Sequence, residues 1–366
     1  MKKDALATRL VQYINALLPD AHGHQRNAFI DFVAALIGTA SCCQATIARS
    51  FDNFEAAAKR LSRFLHNERL DVMAVAMAHA QALIRQLPTA GLIRIAIDWT
   101  IEEKQHLLVA SVMFGRRAVP LYWKAYAECE LKNKRSGYER EFIRKVFEQV
   151  LCGLAHSRFI VTTDRGFADV ETFDLLNKLG VAFVCRTKAN VKIKWHGKWV
   201  KLGEVVMRGN QRRRALGRCH YCESDPRRLF IVQSRTRDQT GRWSIWNVVS
   251  NRNFTAFRMC EEYAKRFSCE EGFRDAKWVV GFKDARIQDL QAWARMFTLV
   301  AIALLLLANI GCRLMTEKEH LRRVTSRRTA RAELSIVRAV IELLKQSQRY
   351  WEWLNHSAKL NLEATL

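Results

Sequence analysis

Hydrophobic positions recur at intervals of three and four over residues 1–90, which predicts helices. Two clear runs carry this spacing: Leu6, Leu10, Ile14, Leu17 and Phe29, Phe32, Val33, Leu36. Shorter helices are predicted over 45–50 and 54–65. Basic side chains on these helices suit a DNA-binding module, but a plain helical packing domain fits the same pattern equally well.

From residue 92 the pattern changes to alternation and to short apolar runs, which predicts strands. We predict strands over 92–98, 106–114, 118–124, 159–163 and 181–186. Amphipathic helices are predicted between them, over 138–151 and 170–179. This order predicts an α/β fold, with a mixed sheet and helices on its faces.

In residues 186–258 the alternation of strands and helices stops, and short strand-like segments lie among turns. The pieces lie at 191–195, 199–202, 229–234 and 243–249. A long helix is predicted over 255–277, and helical sequence follows, including the basic stretch 322–331. The most apolar run, 296–308, is shorter than the 20 or so residues that a membrane span needs, and the N-terminus lacks a signal-peptide pattern. We therefore expect a buried core helix, no membrane association and a cytoplasmic protein.

The charge is strongly basic: 60 Lys and Arg against 36 Asp and Glu give a net charge of +24. Residues 186–258 hold 18 basic and 4 acidic residues, so +14 of that excess lies in this segment. Such a surface favours a polyanion, above all nucleic acid, through counterion release. Arg212, Arg213 and Arg214 form its densest cluster and are candidate DNA-phosphate contacts.

The 10 cysteines do not predict a zinc site or a disulfide framework. Only Cys219 and Cys222, in the run Cys-His-Tyr-Cys, have ligand-like spacing. A structural zinc site usually needs a second such pair, and none follows.

Two aspartates are each predicted at the end of an apolar strand: Asp98 after Ile-Ala-Ile and Asp164 after Val-Thr-Thr. A single aspartate at such a position most often caps a helix or pairs with a basic side chain. Two in one sheet favour a site, because sites of open α/β sheets gather at the carboxyl ends of strands.

A third acid is predicted from helix geometry. At about 100° per residue, Tyr263, Arg266, Glu270 and Lys277 fall on one narrow stripe of the predicted helix. The stripe is too polar for a core, although a solvated face with ion pairs would give the same pattern. Three carboxylates could hold two magnesium ions for phosphodiester transfer, with Arg266 and Lys277 on phosphates.

These residues resemble the DDE transposases of bacterial insertion sequences. The resemblance rests on Asp98 in Ala-Ile-Asp-Trp-Thr, Asp164 in Thr-Thr-Asp-Arg-Gly-Phe, and the Tyr263-x2-Arg266-x3-Glu270-x6-Lys277 spacing. That spacing is similar to the signature of the insertion-sequence-four family in every position. The resemblance covers about residues 90–310.

The resemblance implies a ribonuclease-H-like catalytic domain over 91–310, with a basic β-rich insertion at 186–254. Helical regions would flank it at 1–90, for recognition of DNA ends, and at 311–366. It implies that Asp98, Asp164 and Glu270 bind two Mg²⁺ ions, with Mn²⁺ able to replace them. Cleavage and strand transfer, through a hairpin intermediate, would follow on a homodimer bound to DNA near the bacterial nucleoid.

Further site residues are carried over from the resemblance. Tyr263, Arg266 and Lys277 would hold phosphates, and Arg165 would be a further phosphate contact. Relatives stack an extruded base on a tryptophan late in the insertion, where this chain has Trp243 and Trp246. Either tryptophan could instead belong to the strand core.

Two other functions share parts of this pattern. A ribonuclease-H-like nuclease without strand transfer would carry the same three acids and basic surface, but would not need the Tyr-Arg-Glu-Lys stripe. An inactive DNA-binding relic would bind without cutting. Retention of all three acids argues against the relic.

Overall fold

The structure is a computed structural model that describes residues 4–85, 87, 90–114, 117–237, 241–314 and 335–346. The chain forms two compact units. Unit 1 comprises Met1–Thr89, Trp99–Cys129 and Glu270–Leu366, and unit 2 comprises Ala90–Asp98 and Glu130–Cys269. The predicted basic stretch 322–331 lies outside the described residues. The predicted domain boundaries at 90, 310 and 254 stay predictions.

Unit 1 is mainly helical. Its N-terminal helices are α1 (Asp4–Leu17), α2 (Gly23–Thr39), α3 (Gln44–Arg49), α4 (Phe54–Leu65) and α5 (Val72–Ile84). The hairpin strands β2 (Gln105–Phe114) and β3 (Arg117–Ala127) follow, and the unit also holds α11 (Leu290–Leu314) and α12 (Ile336–Gln346). The helices predicted for the N-terminal region are confirmed over the described residues.

Helix α11 is the centre of unit 1, and it contacts α2, α5, α12 and β3. It is longer than the 13-residue apolar run predicted, and Leu290–Cys312 is long and apolar enough to cross a membrane. However, 89% of its apolar stretch is buried inside the protein, as expected of a core helix. Its Arg295 is buried and donates to Leu65 O at the end of α4 (2.8 Å), where helix carbonyls lack partners.

Unit 2 is built on a mixed sheet. In chain order its strands are the first part of β1 (Ile93–Glu102), β4 (Phe159–Thr163), β5 (Ala182–Thr187), β6 (Lys192–Trp195), β7 (Lys198–Lys201), β8 (Arg213–Tyr221), β9 (Arg227–Arg237) and β10 (Trp243–Ser250). They are arranged as β1-β4-β5-β10-β9-β8-β6-β7. The β1-β4-β5 pairs are parallel and the rest are antiparallel.

Helices cover both faces of this sheet. The helices of unit 2 are α7 (Arg135–Lys145), α8 (Val170–Lys178) and α9 (Ala256–Lys265), while α6 (Glu128–Leu131) and α10 (Phe267–Arg274) each have residues in both units. On β5, Ala182 and Val184 pack towards α9, while Phe183 stacks on Phe173 of α8 with ring centroids 4.7 Å apart. The alternation of side chains along a strand explains this division. The α/β prediction with a mixed sheet is confirmed.

Three element predictions are wrong. Strand β1 does not end at Asp98 but continues to Glu102. The predicted helix 138–151 ends at Lys145 and continues as a π-helical turn, Val146–Val150. Strand β8, which covers Arg213 and Arg214, was missed because its basic side chains hide the alternation.

The predicted long helix over 255–277 is also wrong, because it is broken at Arg266. Helix α9 ends at Lys265, and backbone bonds between residues three apart tighten the chain there: Arg266 N to Tyr263 O and Cys269 N to Arg266 O. Helix α10 follows and passes into a π-helical turn, Asp275–Val279. The assumed 100° per residue therefore does not hold from Tyr263 to Lys277.

Candidate active site

The two aspartates lie where β1 and β4 stop pairing. The parallel register of these strands ends at Ile97 opposite Thr163, so Asp98 and Asp164 are the next residues on adjacent strands. Asp98 is therefore near the end of this ladder, although it is not at the end of its strand. The two aspartates thus lie next to each other, although the prediction that Asp98 closes its strand is wrong.

Asp164 is held by a tight turn. Its Oδ1 accepts a hydrogen bond from Gly166 N at 2.7 Å, and it caps the short 3-10 helix Arg165–Phe167. A Cβ built on Gly166 would lie 2.9 Å from Asp164 Oδ1, so only glycine fits without a shift. Arg165, the predicted phosphate contact, is exposed on this turn.

Asp98 is paired with Arg266. The guanidinium Nη1 of Arg266 donates to Asp98 Oδ2 at 2.6 Å, and the two side chains are only 7% and 16% exposed. Tyr263 is also buried, so the Tyr263–Arg266 half of the stripe is not the solvated face that the same pattern allowed. Burial raises the pKa of the Tyr263 hydroxyl, although the nearby Arg266 charge opposes that rise.

A second ion pair lies beside the first. Arg94 donates two hydrogen bonds to Glu262, at 2.6 and 2.9 Å, and the Glu262 side chain is 2% exposed. Burial alone would raise the pKa of Glu262, but the hydrogen bonds and charge of Arg94 outweigh it, so the pKa lies below its usual value.

The sequence analysis did not predict this pair. A signal was present. Arg94 precedes Asp98 by four residues, and Glu262 likewise precedes Arg266 by four. The first pair runs from positive to negative along the chain and the second from negative to positive, so the two pairs are complementary. A strand repeats every two residues and a helix nearly every four, so each pair of residues shares a face.

Aromatic rings extend the site from Arg266. The Arg266 guanidinium lies 5.6 Å from the Tyr263 ring centroid and 5.4 Å from that of Phe267. Trp246 stacks on Phe267 at 5.5 Å and meets Tyr263 edge-on at 5.2 Å. Arg186, which the sequence analysis missed, lies 5.6 Å from the Trp246 ring.

The two candidate tryptophans lie on opposite faces of β10. Trp246 belongs to the face that packs on α9, whereas Trp243 is three residues earlier, points the other way and is 56% exposed. Only Trp246 therefore joins the ring cluster beside Arg266.

Glu270 and Lys277 belong to unit 1. Glu270 lies in α10, four residues after Arg266. Lys277 Nζ binds Glu102 Oε1 at 2.7 Å and donates to Ile101 O at 2.8 Å. In this structure a carboxylate, rather than a phosphate, is thus the partner of the Lys277 ammonium group.

The arginine cluster of the insertion is divided between two faces of β8. Arg212 is exposed just before the strand. Arg213 lies 4.9 Å from the Phe257 ring on the α9 side, and Arg214 lies 5.3 Å from the Trp195 ring and donates to Val206 O. The three arginines therefore do not form one surface.

The aspartates suit a hard divalent cation in donor type and position, because both offer carboxylate oxygens at one sheet edge. Among the described residues, no three His, Cys, Asp or Glu side chains form a group that could hold a metal ion. The structure therefore assembles two acids and an arginine, with the third acid unassigned.

Residues 143–306 match the family model described as the transposase DDE domain. This match supports a DDE transposase. No curated protein matches the chain.

The matched segment covers most of the candidate DDE site. It includes Asp164 and the whole Tyr263-to-Lys277 signature, and it extends into α11. Asp98 and the N-terminal helices precede it. For Asp98 the supporting observation is therefore its position next to Asp164 in the parallel ladder.

Proposed function

We propose that this protein is a transposase that binds the ends of its mobile element and catalyses DNA cleavage and strand transfer. The observation that carries the proposal is the meeting of Asp98 and Asp164 at adjacent strand positions, with Arg266 on Asp98. The transposase-domain match supports the same reaction class. The fold would be ribonuclease-H-like, with 186–254 as an insertion.

In this proposal Asp98, Asp164 and Glu270 hold two Mg²⁺ ions, which Mn²⁺ can replace. Bound metal would activate the attacking oxygen and stabilise the leaving one during phosphodiester transfer. Arg266 changes partner: its guanidinium leaves the Asp98 carboxylate for a DNA phosphate, for which its planar fork is suited. Lys277 would likewise exchange Glu102 for a phosphate.

Trp246 is the tryptophan that we assign to an extruded base at a hairpin end. Its ring is half-buried beside Tyr263, Phe267 and Arg186, so a base would add to an existing stack near Arg266. Trp243 is not assigned this role, since it lies on the opposite face. The protein would act in the cytoplasm on nucleoid DNA, as a homodimer bound to two ends.

The test uses a plasmid that carries the gene with its native flanks, incubated with purified protein and Mg²⁺. We expect flank-specific cutting and joined products, lost in Asp98→Ala, Asp164→Ala and Glu270→Gln with DNA binding retained. Glu271→Gln is the matched control for Glu270, because Glu271 is the next residue and pairs with Arg117 and Arg274. That variant should keep its activity.

The other outcomes separate the alternatives. Cutting without joined products would indicate a nuclease, and binding without metal-dependent cutting would indicate an inactive relic. Cutting that survives Glu270→Gln but not Glu271→Gln would move the third acid to Glu271.

A further inference from the structure

The strands β9 and β10 continue beyond their neighbours in the sheet. β8 pairs with β9 up to Ser234, and β5 pairs with β10 only from Asn247 onwards. Beyond these points, from Arg235 to Arg237 and from Trp243 to Trp246, the two strands pair, among the described strands, only with each other. The result is a two-stranded arm, anchored at its base by Arg235 N donating to Arg212 O.

The arm has two unlike faces. Directly paired residues share a face, so Trp246 and Ser234 lie towards α9, as the Trp246–Tyr263 contact shows. The opposite face carries the pairs Trp243–Arg237 and Ile245–Arg235. We name these four side chains the outer patch.

The outer patch combines exposed apolar surface with positive charge. Trp243 is 56% and Ile245 is 42% exposed. The Arg237 guanidinium carbon lies 4.5 Å from the Trp243 ring centroid, and Arg235 Nη1 donates to Gly209 O at 2.9 Å. Among the described residues, neither arginine forms an ion pair with a carboxylate. Both guanidinium groups add positive charge to this face.

We propose that the outer patch binds single-stranded DNA, with a base stacked on Trp243 and adjacent phosphates on Arg235 and Arg237. An aromatic platform beside cationic side chains is the chemistry that holds an unpaired strand, since every base has a face to stack. Duplex DNA hides those faces, so the tryptophan selects unpaired bases. The choice of DNA as the partner rests on the proposed function.

This surface is distinct from the proposed catalytic face. Trp246, Arg266 and Asp98 are on the α9 side of the strands, while the outer patch is on the other side. The insertion would therefore hold a second, unpaired DNA segment while the first is at the carboxylates. Such a segment exists wherever one strand of a duplex has been cut and displaced.

The test measures the affinity for a labelled oligothymidine of about 12 nucleotides, a length within the range that such sites cover. Trp243→Ala should weaken binding about tenfold. Arg237→Gln should lower the slope of affinity against salt concentration by about 0.7, the value for one phosphate of a single strand. Both side chains are exposed, and thermal unfolding followed by circular dichroism verifies that the variants fold.

The matched control is Trp278→Ala in unit 1. Trp278 is 65% exposed and also has a cation on its ring, Lys283 Nζ at 3.3 Å from the centroid. This variant should bind oligothymidine as the unaltered protein does. A duplex of the same length should show little effect of Trp243→Ala.

Unchanged oligothymidine affinity in both outer-patch variants would overturn the inference. So would an equal loss for duplex, which would make the patch a duplex contact. A shift to a smaller species in sedimentation, with affinity unchanged, would assign the patch to a second copy of the chain. The assay contains no divalent cation and measures binding alone. Its result therefore does not depend on whether the protein cuts DNA.

Discussion

At the scale of single residues, the site depends on the buried contact between Arg266 and Asp98. Both side chains are largely withdrawn from water, and the ion pair compensates for that desolvation. Removing one member leaves the other as an unpaired buried charge. The contact therefore contributes both to the arrangement of the aspartate and to the stability of unit 2.

We expect Arg266→Ala to lower the free energy of unfolding by about 3 kcal/mol, and Arg266→Lys to lower it less, because lysine keeps the charge but not the fork. Urea denaturation measures both. Arg165→Ala, on the exposed turn after Asp164, is the control and should change stability by less than about 0.5 kcal/mol. An equal effect of Arg266→Ala and Arg165→Ala would contradict the structural role of the pair.

Asp275 is a buried carboxyl group whose surroundings favour its neutral form, unlike that of Glu262. Burial raises the pKa of its carboxyl, and the charge of Glu271 adds to this, while Ser335 and Arg117 oppose it. A folded-state pKa above the unfolded value means that the native protein prefers the protonated acid. Its ionisation at neutral pH therefore costs stability.

Asp275→Asn should consequently raise the unfolding free energy near pH 7, because the amide is neutral and avoids the cost of a buried charge. The gain should shrink as the pH falls through the folded-state pKa, since the wild-type carboxyl is then protonated too. Urea denaturation across this pH range tests the sign. Destabilisation at pH 7 would show that the Arg117 contact dominates instead.

At the scale of elements, two ion pairs of opposite polarity join α9 to β1. The strand contributes Arg94 and Asp98, α9 contributes Glu262, and Arg266 is the residue directly after α9. A helix displaced along the strand would bring like charges together. The two pairs thus favour the one register that places Arg266 on Asp98, and Arg94 and Glu262 act as positioning residues.

Arg94→Glu and Glu262→Arg should each lower the unfolding free energy by about 3 kcal/mol, and the double exchange should recover part of that loss. Equilibrium denaturation of the four proteins gives the coupling energy. Additive losses, without recovery in the double variant, would rule out a direct interaction.

The same pair predicts a pH dependence. The folded-state pKa of Glu262 is below its unfolded value, so its stabilisation is present above the unfolded pKa and is lost as the pH falls through the folded one. Arg94→Met removes the cause of the low pKa. The stability difference between wild type and Arg94→Met should therefore narrow in acid, and a constant difference between pH 7 and pH 3 would contradict the assignment.

At the scale of the whole molecule, the charge distribution predicts the salt dependence of DNA binding. More than half of the net charge of +24 lies in residues 186–258. Each phosphate contact releases counterions, so affinity should fall steeply with ionic strength.

Replacement of Arg212, Arg213 and Arg214 by Gln should reduce the salt slope by about one to three units, depending on how many contact phosphate. The lower value applies if only Arg212 does so, because the guanidinium groups of Arg213 and Arg214 lie near aromatic rings in this structure. Electrophoretic mobility shifts at several salt concentrations measure it. Lys132→Gln with Lys134→Gln, two exposed changes outside the insertion, should leave the slope nearly unchanged.

The sequence by itself determined much of this protein. Local periodicity predicted the helices of the N-terminal region and most strands, since burial imposes a period of 3.6 or of 2 on neighbouring residues. It also indicated that Asp98 and Asp164 belong to one site, because both lie on strands of one sheet, and the domain match agrees with the predicted transposase.

The tertiary structure decided what depends on contacts between distant segments. The burial of Tyr263 depends on the packing of α9 on β5, β9 and β10, and the Arg94–Glu262 pair depends on the position of α9 relative to β1. Local periodicity encodes neither of these contacts, nor the break at Arg266. The same holds for the opposite faces of Trp243 and Trp246, because the face of a strand residue depends on register and on which face a helix covers. Compact units that join separate stretches of chain arise for the same reason: burial is a property of the folded molecule.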